Sequence, residues 1–255
     1  METIILIVVF SLAWGSFLNV IIYRLPLRMS LLRPLSSCPH CQARIKVYDN
    51  IPLLSYLLLG GKCRKCRARI SFIYPLVELL TPLCFMILYY HFSLSVHFFT
   101  SAFFVSALIA LGFIDFTHQI LPDEITLPGV ILALFYAAFR PDLKLIQALM
   151  GVVVGAGILL LIYGAYYLLR KKEGLGLGDV AMMLMIGAYL GWRQTLLTLI
   201  LASLLGALVG VFFILYKKKT FQFALPFGAF LAAAAFVSLI WGERIITAYL
   251  SVYKT

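Results

Sequence analysis

Asp179 closes the run Gly176-Leu177-Gly178-Asp179, which lies between the basic cluster Arg170-Lys171-Lys172 and an apolar stretch that begins at Val180. An acid at the mouth of an apolar helix is expensive to desolvate, and such residues usually face a protein interior or a wet cavity where they do chemistry or transport. Asp115, ending the apolar stretch from Phe103 to Ile114, is a second acid of this kind. Two carboxyl groups brought within reach of each other cannot both ionise cheaply, so they share a proton. The ionised member can then activate water while the protonated member polarises a peptide carbonyl. Asp115 and Asp179 are therefore the candidate catalytic pair, and the chemistry that suits them is aspartyl hydrolysis of an amide. Gly176 and Gly178 are accessory in this reading, allowing a sharp backbone turn and close approach of a substrate chain.

A second constellation is built from sulfur. Cys38-x2-Cys41 and Cys63-x2-Cys66 have the spacing of a zinc site, while Cys84 stands alone in an apolar run. The segment that carries the four thiols also holds ten of the 21 Lys and Arg residues, from Arg24 to Arg69, and such an excess in a short loop assigns it to the cytoplasm. Thiols stay reduced there, so metal is favoured over disulfides. A segment of about fifty residues lacks a core large enough to fold unaided, which makes the metal its folding element. Four thiolates leave no open position for water, so the expected zinc is structural, and His40 inside the first knuckle is a bystander.

The elements that must position these groups follow from composition. With 63% hydrophobic residues, 12% charged residues and a mean hydropathy of +1.03 over 255 residues, the chain is far too apolar for a soluble globule. It is expected to be an all-α polytopic membrane protein. A formal net charge of +11 points to insertion orientation and contact with anionic membrane lipid, not to nucleic acid. Apolar runs predict about eight crossings: 3–23, 71–90, 96–114, 125–139, 145–169, 180–192, 194–216 and 220–242, with the tail from Glu243 along the surface. Counting crossings from an outside amino end puts the loops near 24–72, 115–124, 170–179 and 217–219 inside, and the basic clusters at 24–72, 170–172 and 217–219 agree with that orientation. Asp115 and Asp179 then share one face. The expected domains are a first span at 1–23, a zinc-binding cytoplasmic loop at 24–72 and a membrane peptidase domain at 73–255.

Individual residues refine this frame. Gly15 and Ser16 suit close helix packing, and Asn19 near the inner end of the first span could hold a loop. Glu78 lies within a span, where an acid needs a partner or water, so it is either a structural hydrogen-bonding group or part of the site. Pro122 can open a helix with Asp123 and Glu124 in its favourable first turn, whereas Asp115 at a helix carboxyl end opposes the dipole. A locally unfavourable acid is the better functional candidate.

Taken together, Gly15-Ser-Phe-Leu-Asn-Val20, Ser37-Cys-Pro-His-Cys41, Asp49-Asn-Ile-Pro-Leu-Leu-Ser-Tyr56, Gly61-Lys-Cys63, Tyr74-Pro75 with Glu78, Asp115 followed by Leu121-Pro-Asp123, Gly176-Leu-Gly-Asp179 and Leu225-Pro-Phe-Gly228 resemble the type IV prepilin peptidases. The resemblance covers residue 12 to about residue 191 together with the last helix. It implies a bacterial cytoplasmic (inner) membrane enzyme that cleaves the basic leader of type IV prepilins and pseudopilins after a glycine at the cytoplasmic face. It also implies N-methylation of the new amino terminus with S-adenosylmethionine. The family's catalytic acids fall on Asp115 and Asp179, its accessory acid on Asp123, and its zinc ligands on Cys38, Cys41, Cys63 and Cys66. Ile73 stands where members often carry arginine, as in competence-type enzymes of Gram-positive bacteria, and Ala181 stands where they often carry lysine. The local acids that a basic leader could meet are Asp123, Glu124 and Asp49. Two other classes compete with a protease: a transporter, whose intramembrane acids would bind protons or cations, and a non-catalytic zinc-loop scaffold.

Overall fold

The computed structural model describes residues 1–33, 35–140, 142–171, 176–217 and 225–252. Lys172, Lys218, Lys219 and the first residues of the expected last crossing, from Thr220 to Ala224, lie outside the described residues. Nine α-helices form among the described residues: α1 (Glu2–Arg24), α2 (Leu54–Leu58), α3 (Ile73–Phe92), α4 (Val96–His118), α5 (Asp123–Ala137), α6 (Leu145–Arg170), α7 (Leu177–Leu190), α8 (Trp192–Lys217) and α9 (Phe227–Val252). All but α2 stand where the apolar runs predict crossings. Six of them, α1, α3, α4, α6, α8 and α9, are long and apolar enough to cross a membrane, which makes this a multi-pass membrane protein. Most boundaries shift by a few residues from expectation, and two shifts matter. The helix carrying Asp115 continues to His118, and α9 runs unbroken to Val252, so Glu243 does not open a separate surface tail. Glu243 instead accepts a hydrogen bond from the Gln194 side chain at 3.2 Å, which ties α9 to α8.

The chain divides into two compact units, Met1–Ala110 and Leu111–Thr255. In the first, α1 packs along α3 through a position that only a small residue can fill. A β-carbon at Gly15 would lie 3.0 Å from Thr81 Oγ1 and 3.1 Å from Glu78 Cα. The Asn19 amide donates to the Tyr74 carbonyl at 3.0 Å, and the buried Arg24 guanidinium donates to the Ser30 carbonyl at 3.0 Å. The polar chain leaving α1 is thus fastened at the point where it leaves.

In the second unit, α7 is the central helix, packed against α5, α6, α8 and α9. Almost every residue from Val180 to Leu190 is buried, including Met182, Met183 and Met185. A helix of 14 residues is about 21 Å long, too short to cross about 30 Å of hydrocarbon. Enclosure by longer neighbours removes that requirement, since its surroundings are protein. The approach of α6 to α7 is backbone to backbone: a β-carbon at Gly151 would run into the Gly187 carbonyl, and one at Gly187 into that of Gly151. With Gly155 one turn on, α6 presents the small-x3-small pattern that lets membrane helices touch. At one end of α7, Arg140 lies over the rings of Tyr136 and Tyr189, pairs with Asp142 and donates to the Tyr189 carbonyl at 3.0 Å.

Candidate active site and metal centre

The zinc-type segment is made from one short motif used twice. Cys38-Pro39-His40-Cys41-Gln42-Ala43-Arg44-Ile45 and Cys63-Arg64-Lys65-Cys66-Arg67-Ala68-Arg69-Ile70 share the pattern Cys-x2-Cys-x-Ala-Arg-Ile, a repeat that marks the two knuckles as equivalent. Their backbones close in the same way. Cys38 N–H donates to the Ala43 carbonyl at 2.9 Å and Cys63 N–H to the Ala68 carbonyl at 2.8 Å, while Gln42 and Arg67 turn with φ of 57° and 59°. The four sulfurs lie within 4.8 Å of one another, and Cys38 Sγ is 3.8 Å from Cys66 Sγ. Tetrahedral zinc with Zn–S bonds of about 2.3 Å requires S···S edges of about 3.8 Å, so the cluster suits that ion. His40 is exposed and outside the cluster.

The charge state of the sulfurs gives the same answer. Backbone N–H groups of Cys66 and Lys65 hold Cys63 down to about 6. At Cys66 the Ala68 N–H favours the thiolate, yet desolvation and the neighbouring thiols push it up to about 11. Crowded thiols resist joint ionisation, and a divalent cation is what allows all four to become ligands. Beside the knuckles, Arg64 grips Asp49 with contacts of 2.6–3.1 Å, and Lys46 and Arg64 lie 5.4 Å and 5.6 Å from the Tyr48 ring centre. Asp49 is therefore engaged within its own loop.

The acids behave differently. Asp115 sits in the last turn of α4 with 6% of its surface exposed, and Asp179 in the first turn of α7 with 9%. The two carboxyl groups are near enough to feel each other's charge. Asp115, misplaced with respect to its own helix dipole, is held by the start of another: its Oδ2 accepts the Ala229 N–H of α9 at 3.1 Å. The unpaired N–H groups and positive end of a helix amino terminus suit an anion, which resolves the local conflict. Gly228 makes the approach possible, since a β-carbon there would lie 3.0 Å from Asp115 Oδ2. Sequence reading placed Pro226-Phe-Gly228 in the last helix without giving it this task. The signal was proline just ahead of a helix start with glycine behind it.

Asp179 is the third residue of α7, and its carboxylate turns back to the N–H of Gly176 at the helix start. Gly176 has φ −74° and ψ 135°, open to any residue, so the glycines are not there for an unusual turn. At Gly178 the need is space. A β-carbon at Gly178 would meet Leu121 Cβ at 2.9 Å, and one at Gly176 would lie 3.4 Å from Asp179 Oδ2. Leu121 also touches the space beside Gly228, 3.0 Å from its virtual β-carbon, so one leucine abuts the glycine next to each acid.

The remaining candidates differ from this pair in exposure or in partners. Asp123 is exposed in the first turn of α5, as a helix-start acid would be, and Glu124 beside it is exposed as well. Glu78 lies in the first unit, buried, where it accepts the Leu53 N–H at 2.8 Å and the Ser16 hydroxyl. The first of these contacts ties the start of α2 to α3.

Comparison with known proteins decides the family. A family model described as the bacterial peptidase A24 N-terminal domain matches residues 9–92, and one described as the type IV leader peptidase family matches residues 102–211. A prepilin leader peptidase/N-methyltransferase of Pseudomonas putida is 38% identical over 264 residues, covering 95% of this chain and 92% of the relative. The chain belongs to the type IV leader peptidase family. Proteins of the same name from Stutzerimonas stutzeri, 38% identical with 95% and 92% coverage, and from Aeromonas salmonicida, 37% identical with 96% and 93% coverage, agree with this membership. No solved structure matches the chain. Within the leader peptidase family assignment, residues 9–92 contain the cysteine cluster and residues 102–211 contain both acids.

Proposed function

We infer that this protein cleaves the leader peptide of type IV prepilins or pseudopilins and N-methylates the residue thereby exposed. The observation that carries the reading is the pair Asp115 and Asp179, buried, in mutual electrostatic contact and approached by the amino ends of two helices. Asp115 and Asp179 divide the work of hydrolysis. One carboxylate takes a proton from water as the water oxygen attacks the scissile carbonyl carbon; the other, protonated, donates to the carbonyl oxygen. Collapse of the tetrahedral intermediate breaks the C–N bond, and a carboxyl proton passes to the leaving amine. The α9 amino terminus keeps Asp115 oriented, and burial excludes bulk water from the pair.

Cys38, Cys41, Cys63 and Cys66 would hold a zinc ion, whose contribution is to fold the loop of residues 24–72. S-adenosylmethionine is the methyl donor in this proposal, and no residue is assigned to it. The site faces the cytoplasm of a bacterial inner membrane, a placement supported by the basic residues beside the inner ends of the helices, among them Arg24, Arg170 and Lys171. Residues 1–23 would be the first span and 73–255 the peptidase domain.

The test is incubation of purified protein with a prepilin, with and without S-adenosylmethionine, followed by mass measurement of the product's amino terminus. Loss of the leader in both samples and a methyl increment only with the donor is expected. Intact prepilin in both, together with substrate flux in proteoliposomes, would return the acids to a transport role.

A further inference from the structure

We propose that α2 is an interfacial anchor that seats the cysteine-knuckle segment in the lipid surface, with the bilayer itself as its partner. The first observation is depth. α3 has 20 residues, and a helix of about 20 residues is what crosses about 30 Å of hydrocarbon, so its first residue, Ile73, sits at the hydrocarbon edge. Glu78 is five residues further on, about 7 Å inside that edge at 1.5 Å per residue. Its carboxylate accepts the N–H of Leu53 at 2.8 Å. Leu53 immediately precedes α2 and adopts φ 61° and ψ −48°, so the chain bends sharply where it is pinned. The amino end of α2 is thereby held at or below the lipid surface, at the depth where interfacial helices bury their apolar faces, about 5–10 Å.

The second observation is what α2 displays. Leu54, Leu57 and Leu58 are 49%, 73% and 77% exposed, in a helix with no charged residue. Ser55 is turned inward, donating to the Tyr48 carbonyl at 3.0 Å and accepting the Ile51 N–H at 2.9 Å. The polar group thus faces its own loop and the leucines face out. Gly60 and Gly61, with φ of 60° and 65°, then stop the helix and return the chain to the second knuckle.

The third is charge. Around this apolar tip, residues 24–72 carry ten Lys and Arg against the single acid Asp49, which Arg64 already engages. All of the ten except Arg24 are exposed. Exposed leucines flanked by cations match a surface of acyl chains topped by anionic headgroups, and the loop cannot leave that surface because both its ends continue into membrane helices.

A photoreactive diazirine amino acid at Leu57, at Leu58 and, as a control, at Lys65 tests this in the full-length protein. The protein is reconstituted in nanodiscs of phosphatidylcholine with phosphatidylglycerol, with added prepilin. Adducts to acyl chains at the two leucine positions, and only to headgroups or water at Lys65, are expected. Adducts to prepilin, to a second copy of the chain, or to water alone at positions 57 and 58 overturn it. A second measurement is hydrogen exchange at residues 54–59 in the same nanodiscs. Leu57→Gln with Leu58→Gln should keep its metal content and exchange faster than the parent there, and equal exchange in both proteins overturns the anchor.

Discussion

The cysteine knuckles and the aspartate pair reach comparable precision by opposite routes. Each knuckle is a closed local circuit: Cys38 to Ala43 and Cys63 to Ala68 are bonded within six residues of chain, and the motif is used twice. Only the meeting of the two halves is tertiary, and it places four sulfurs where they could hold one metal ion. The acids have no such local closure. Asp115 lies at a carboxyl end where its own helix repels it, and what holds it, the Ala229 N–H, comes from the start of α9 far along the chain. A metal site can therefore be carried by a small loop, whereas a dyad of like charges needs a rigid helical scaffold to keep it together.

The sharpest break of this contrast is removal of the metal. Cys38→Ser with Cys63→Ser should abolish metal content in atomic spectroscopy and leave residues 37–70 open to protease, because apparent binding free energies for structural zinc are about 10–16 kcal/mol. A double variant that still binds one ion per chain would remove the four-cysteine cluster from consideration.

On the other side of the comparison, Asp179→Asn or Asp115→Asn keeps shape while removing the proton chemistry. Leader removal should fall by at least about a hundred- to ten-thousandfold with the protein still inserted, read by mass measurement of a prepilin substrate. Normal processing by either variant would sink the dyad.

Gly228→Ala tests whether the scaffold, and not merely the acids, makes the site. The added carbon would lie 3.0 Å from both Asp115 Oδ2 and Leu121 Cδ1, and overpacking of this kind is destabilising by about 1–3 kcal/mol. Slower cleavage with unchanged metal content is expected. A variant that loses metal but cleaves at the parental rate would reverse the assignment of this glycine.

The smallest effect belongs to the loop's own ion pair. The Arg64 side chain, bonded to Asp49, holds that carboxyl below its ordinary value of 3.8. Its contribution to loop stability is thus present above that value and is lost as pH falls through the lowered value of the folded state. Asp49→Asn should flatten this acid-side loss in a denaturation series without altering the neutral-pH rate of leader removal. An unchanged acid-side profile would show that the pair does not hold the loop.

Apolar run lengths alone located all the described helices but α2, because a chain this hydrophobic has few ways to satisfy its backbone in lipid other than as helices. The Cys-x2-Cys spacing named four ligands, and the mouth-of-helix position of Asp179 and the unfavourable position of Asp115 marked them, since ligand spacing and helix polarity are local properties. Tertiary structure alone decided the rest. It gave Glu78 to Leu53, turned Asp123 outward, and left room at Gly178 for Leu121, while Gly176 takes a backbone conformation open to any residue. It also brought the α9 amino terminus to Asp115. Which partner satisfies a buried charge depends on which helices meet, and that is set by small-residue contacts such as Gly151 with Gly187, whose matching surfaces lie far apart in sequence and carry no signature until they touch.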